Sequence, residues 1–188
     1  NLVTVNIPDG VKEIQVAAFK YCLNLVVVNL PNTLETLGAA AFLGCCHLAM
    51  LKLPDGITKI EDRTFWGCEN LSIVQLPKNL MTIGCQAFAC CKNLSTMNIP
   101  STVTDIESLA FFSCEKLRKI NLPNVDVIKN GTFRTCVNLE NIYVPNSVKC
   151  IEDNAFENCR NLETVVLPDG LTHIGYHAFA YTKIRSLT

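Results

Sequence analysis

Apolar residues recur along this chain with a period of about 23, and each period repeats the same order of apolar and polar positions. A leucine opens each unit, at Leu2, Leu25, Leu48, Leu71, Leu94, Leu117, Leu139 and Leu162, and Ile184 opens a truncated ninth. Counted from that leucine, positions +3 and +5 are apolar while +2 and +4 vary, which is the period-two pattern of a short, half-buried strand. In the unit from Leu25 to His47 this turns Val28 and Leu30 inward and Val27 and Asn29 outward. All eight prolines fall at +6, from Pro8 to Pro168, where the missing N–H ends a ladder and the fixed φ turns the backbone. Two apolar residues three apart follow, such as Ile57 and Ile60, and predict a second extended or loosely coiled side facing the same core. The Ala/Thr-Phe-x-x-Cys segment then has the three-residue spacing of a single helical turn. An Asn before the next leucine, at Asn24, Asn70, Asn93, Asn138 and Asn161, suits a corner with left-handed or side-chain-bonded backbone.

A self-similar period of this size marks a solenoid, in which no unit buries its apolar face alone and neighbours stack to make a core. The pattern therefore predicts one elongated domain over residues 1–188, built of about eight repeats at 2–24, 25–47, 48–70, 71–93, 94–116, 117–138, 139–161 and 162–183. Stacked strands make a parallel sheet. Phe19, Phe42, Phe65, Phe88, Phe111, Phe133, Phe156 and Phe179 occupy one column and form the expected structural spine. The first residues already lie within a repeat, which predicts a segment of a longer array, with flanking repeats or partner chains covering its ends.

The Pro, Phe and Cys columns resemble those of the BspA-type leucine-rich repeat family, whose unit reads close to LxxLxLPxxLxxIgxxAFxxCxx, and the likeness runs through the whole chain. The resemblance implies a curved right-handed leucine-rich-repeat solenoid. Its short strands would form a concave parallel sheet, with turns or single helical turns on the other sides. It also implies a surface or secreted protein that mediates adhesion or host contact.

Charge narrows the partner class. Sixteen basic and seventeen acidic residues without a run of one sign give no argument for nucleic acid or an anionic membrane. Apolar runs such as the one around Val26 to Val28 are far shorter than the roughly 20 residues of a membrane span. Of the eleven cysteines, seven share a column: Cys22, Cys45, Cys68, Cys91, Cys114, Cys136 and Cys159. A position repeated in every unit answers a need of every unit, here a small apolar group with a weak S–H donor, so these are read as buried free thiols. Cys46 and His47 lie beside the column, and Cys85, Cys90 and Cys150 elsewhere, but no C-x-x-C pair exists and convergent metal ligation is not expected. His173 and His177 lack an intervening glutamate and read as surface histidines. Gly38, Gly84 and Gly175 share a column and read as turn residues, not a phosphate cradle. No catalytic residue, cofactor site or metal set is expected. Asn130-Gly131-Thr132 is the glycan acceptor least explained by the repeat.

In a solenoid the stacking columns are committed to the core, so recognition falls to the outward strand positions. Val27, Met50 and Ile73 are three successive apolar residues at +2, and contiguous exposed apolar surface marks interfaces. Asn29, Lys52 and Gln75 flank them at +4, followed by Asn98, Asn121 and Tyr143. The polar members could bond one another along the ladder or present a polar strip. The sequence thus points to a non-enzymatic protein-binding module that uses its concave sheet. The alternative is a structural scaffold subunit of an intracellular or organellar assembly, toward which reduced cysteines would lean.

Overall fold

The computed structural model describes residues 1–186; Leu187 and Thr188, the end of the expected domain, lie outside the described residues. Eight three-residue strands come from the L-x-x-V-x-L segments: β1 (Thr4–Asn6), β3 (Val27–Asn29), β5 (Met50–Lys52), β7 (Ile73–Gln75), β9 (Thr96–Asn98), β11 (Lys119–Asn121), β13 (Asn141–Tyr143) and β15 (Thr164–Val166). Eight two-residue strands alternate with them: β2 (Glu13–Ile14), β4 (Thr36–Leu37), β6 (Lys59–Ile60), β8 (Thr82–Ile83), β10 (Asp105–Ile106), β12 (Val127–Ile128), β14 (Cys150–Ile151) and β16 (His173–Ile174). The first set pairs in parallel as β1–β3, β5–β7, β9–β11 and β13–β15, and the second as β2–β4, β6–β8–β10 and β12–β14–β16. Every register joins a residue to its equivalent one repeat away, as in Met50 with Ile73 and Ile60 with Ile83. The chain is a parallel solenoid, and its second side is extended.

The third side differs from a helical turn. No described residue is helical. Instead the amides of the Phe segment take turns. Ala17, Phe19 and Tyr21 donate to Ala39, Ala41 and Leu43 of the next coil, while Ala18, Lys20 and Cys22 donate three residues back within their own coil. The same alternation recurs in the next coil, where Phe42 donates to Thr64 and Cys45 to Phe42. A helix would direct every amide along the chain and leave none for the neighbouring coil. Alternation requires two left-handed residues per coil. One column of them runs Ala17, Ala40, Arg63, Gln86, Leu109, Gly131, Asn154, His177, and the other Tyr21, Gly44, Gly67, Cys90, Ser113, Thr135, Asn158, Tyr181. Left-handed backbone costs a non-glycine residue roughly 1–2 kcal/mol, which the coil-to-coil hydrogen bonds offset.

Between these three sides lies one continuous core. Six phenylalanines, Phe42 to Phe156, are fully buried, and Phe19 and Phe179 pack against the cluster from its two ends. Successive rings stack with centroids 5.2 to 5.9 Å apart. Their planes tilt by 16° at most. Six of the column's Phe carbonyls, from Phe19 to Phe133, serve two donors. Phe42 O accepts the Cys45 amide at 3.1 Å, and it accepts the Cys68 thiol of the next coil at 3.2 Å. The thiol bond repeats at Cys45, Cys91, Cys114, Cys136 and Cys159. All eleven cysteines are free. In the last unit Thr182 substitutes, and its hydroxyl turns back to Phe179 O of its own coil.

One local expectation changes, and one open choice is decided. Gly84 and Gly175 are not left-handed; they are required because the coils approach closely. A Cβ on Gly84 would lie 2.8 Å from Asp62 N and Oδ1 of the preceding coil, and that Oδ1 accepts the Cys85 amide. Asp153 does the same for the Tyr176 amide beside Gly175. Gly38 likewise abuts the Val16 backbone. The corner asparagines take the side-chain-bonded option: Asn93 Nδ2 donates to Asn70 Oδ1 and Asn161 Nδ2 to Asn138 Oδ1, both at 3.1 Å.

Phe111→Ala removes a fully buried ring flanked by two others and should lower unfolding stability by about 3–5 kcal/mol in urea titration, whereas Phe19→Ala, at a half-covered end, should cost clearly less. The thiol column makes stability fall in alkali. Burial, the largest cause, pushes the Cys45 thiol from its ordinary 9.0 to about 12. It moves Cys159 equally far and raises Cys68, Cys91 and Cys136 as well. The folded chain keeps protons that the unfolded chain loses, so this contribution is complete below about pH 9 and disappears as pH rises toward about 12. Urea midpoints should accordingly drop across that window, and a maleimide at neutral pH should reach the six buried column thiols only after unfolding.

Candidate functional site

Strand alternation sets the geometry of the outer sheet face. With Val28, Leu51 and Ile120 turned into the core, the residues on either side of each must point out, and the three-residue strands read exposed, buried, exposed in β3, β5 and β11. Val27, Met50 and Ile73 stand at 41%, 61% and 59% exposure on three successive rungs. Met50 and Ile73 are direct partners across β5 and β7.

These three side chains line a groove of about 490 Å³ together with Asn29, Lys52 and Gln75. Val26, Asn32 and Pro54 also line it. Sequence reasoning missed those three, because Val26 precedes the strand and Asn32 and Pro54 belong to turns that read as connectors. The groove's depth comes from these turns. Its floor is apolar and its rim is amide and ammonium.

The rest of the +4 column forms a different surface. Asn98, Asn121 and Tyr143 border a shallower depression of about 430 Å³ with Thr96, Lys119 and Asn141. Here the sheet presents a polar strip ending in an exposed tyrosine. The amides do not form one continuous ladder. Asn29 Nδ2 donates to Asn6 Oδ1 at 2.6 Å, but Asn121 Nδ2 turns to the Ile99 carbonyl at 3.3 Å. Lys52 and Gln75 lie in the groove lining between these two arrangements.

The other residues with reactive or ligating groups are engaged in the scaffold or spread over its surface. His47 Nδ1 lies 2.6 Å from Leu23 O, and the Cys46 thiol donates to the same carbonyl at 3.4 Å. His173 is exposed on β16, and His177 sits in the left-handed column with its ring stacked on Tyr176. Among the described residues no group of three or more His, Cys, Asp or Glu is placed to hold a metal ion. At Asn130-Gly131-Thr132, the Asn130 backbone N–H donates to Glu152 Oε2 and the Thr132 hydroxyl to Lys129 O, and Thr132 is buried. No described helix is long and apolar enough to cross a membrane.

Comparison with known proteins follows the same columns. The sequence matches the BspA type leucine rich repeat region over residues 1–117 and 81–188, in six copies. Among curated proteins, none matches. A leucine-rich repeat protein from Bacteroides ovatus is 33% identical, with a TM-score of 0.94, over 97% of this chain and 50% of its own. A leucine rich cell surface protein from Faecalibacterium prausnitzii is 25% identical, with a TM-score of 0.65, over 99% of this chain and 59% of its own. The leucine rich repeat protein of T. pallidum is 32% identical, with a TM-score of 0.67, over 93% of this chain and 73% of its own. The chain thus spans half to three-fifths of the length of the first two. Repeats of this kind suggest protein interaction, and their fold is typically non-enzymatic. Shared columns, matched sequence and superimposable coils together show that this chain belongs to the BspA-type leucine-rich repeat family.

Proposed function

We propose that this chain is a non-enzymatic binding module of a surface or secreted adhesion-type protein, and that it recognises a protein ligand through the groove of its concave sheet. One observation carries the reading: Val27, Met50 and Ile73 hold large apolar side chains out of the core on three consecutive rungs, over a concavity rimmed by Asn29, Lys52 and Gln75. Leaving such side chains in water forfeits roughly 25 cal/mol for each Å² of apolar area, and a partner that covers them recovers it.

The rim specifies what kind of segment fits. Amides supply donors and acceptors suited to a partner's main chain, and Lys52 supplies a cation for a carboxylate. The ligand this face accepts is a protein segment with apolar side chains and an acidic residue near its edge. The cell-surface description of the Faecalibacterium prausnitzii neighbour supports the export half of the reading.

Met50→Glu and Ile73→Glu each place a charge on an exposed position, so thermal unfolding midpoints should change little. Capture of the protein ligand from an extract of the surfaces that the parent protein meets should be abolished. Undiminished capture by the double variant would show that this groove is not the docking face. The export half is checked separately, by labelling of the full-length protein with a membrane-impermeant reagent on intact cells.

A further inference from the structure

One carbonyl at the corner of the first coil departs from the pattern of its equivalents. In the following coils Cys46 O accepts the Asn70 backbone N–H, Glu69 O that of Asn93 and Lys92 O that of Lys116, at 3.0 or 3.1 Å. Among the described residues the His47 backbone N–H makes no such bond to Leu23 O. Two side chains take its place: His47 Nδ1 lies 2.6 Å from Leu23 O, and the Cys46 thiol lies 3.4 Å from it. A carbonyl only accepts, so both groups direct a proton at it and Nδ1 is the protonated ring nitrogen. The sulfur and Nδ1 are 3.4 Å from each other. A thiol, an imidazole and a carbonyl oxygen thus converge at the surface, with Cys46 half-buried and His47 exposed.

The separations match one face of a coordination tetrahedron. Zinc holds sulfur at about 2.3 Å and imidazole nitrogen at about 2.0–2.1 Å, which at a tetrahedral angle puts the two about 3.5 Å apart. The Cys46–His47 and Cys46–Leu23 edges are both 3.4 Å. The third edge, from His47 to Leu23, is 2.6 Å because a proton lies between its two atoms. Loss of that proton lets the edge open. The column thiols have no such surroundings, since they are committed to Phe carbonyls inside the core. Cys150 faces His173 across β14 and β16, but the neighbouring carboxylates of Glu152 and Asp153 are turned to the backbone N–H groups of Asn130 and Tyr176.

We propose that Cys46, His47 and the Leu23 carbonyl form a zinc site at the corner between the first two coils, with water in the fourth position. Thiolate and imidazole suit a borderline-soft cation, whereas magnesium and calcium require oxygen ligands. On binding, the Cys46 thiol releases its proton to solvent. Nδ1 gives up its proton while Nε2 gains one, so the imidazole stays neutral and one proton leaves for each ion bound.

The test uses the whole 188-residue chain, fully reduced and then freed of reductant, titrated with cobalt(II) as a spectroscopic substitute for zinc. One equivalent should give a sulfur-to-cobalt charge-transfer band in the near ultraviolet and the intense visible bands of a tetrahedral site. Zinc should abolish both with micromolar affinity, release about one proton per ion and bind more tightly as pH rises. Cys46→Ala should remove the charge-transfer band, and His47→Ala should weaken zinc binding about tenfold or more. Both positions lie at the surface, and an unchanged urea midpoint without metal confirms that each variant remains folded. Absence of the band in the parent chain overturns the proposal. A band that survives in Cys46→Ala but disappears in Cys150→Ala moves the site to the other pair and overturns it as well. Undiminished zinc affinity in His47→Ala marks a thiol binding alone, with the same consequence. Zinc should also shift the carbonyl carbon resonance of Leu23, and an unmoved resonance rules out the three-donor site.

Discussion

Alternate amides of the Phe turn bond to the next coil, and that one arrangement sets the spacing on which the rest of the molecule depends. Phe19 donates to Ala41, Phe42 to Thr64, Phe65 to Ala87 and Phe88 to Ala110, each at 2.8 or 2.9 Å. Coils joined in this way cannot slide, so every residue sits against its equivalent. The phenylalanine rings then have only one place to go, stacked on their counterparts. The left-handed residues between them are the local cost of freeing every second amide for the neighbour.

Close spacing decides several features that otherwise look unrelated. Gly84 and Gly175 must lack a Cβ because an aspartate of the preceding coil reaches across to the next amide. Cysteine suits its column because its thiol is small enough for the core and donates to the second lone pair of the Phe carbonyl one coil away. Opposite charges 22 to 24 positions apart meet as well: Lys12 with Glu35, Glu69 with Lys92, and Lys129 with both Asp105 and Glu107. Being exposed, such pairs add little stability, but like charges in the same places would oppose the stack.

The strand, the proline stop and the outward set were legible because each depends only on local chemistry. Alternation assigns Val28 inward and Val27 and Asn29 outward whatever the neighbours are, and a proline ends a ladder in any context. The Phe turn was less legible. Three-residue spacing from Phe to Cys fits a helical turn and a chain of left-handed turns equally, and only the carbonyls of the adjoining coil distinguish them. The groove was half legible: Val27, Met50 and Ile73 follow from alternation, but its walls at Val26, Asn32 and Pro54 depend on how the turns lean over the sheet.

The sequence by itself determined the repeat, its parallel stacking and which side chains are committed to the core, because a period near 23 with Phe, Pro and Cys in register leaves one way to bury the apolar face. Tertiary structure decided the backbone of the turn, the cause of the glycines at Gly84 and Gly175 and the lining of the groove. Each of these depends on distances between atoms a full coil apart in the chain, and a pattern of residue types carries no such distances until the coils are stacked.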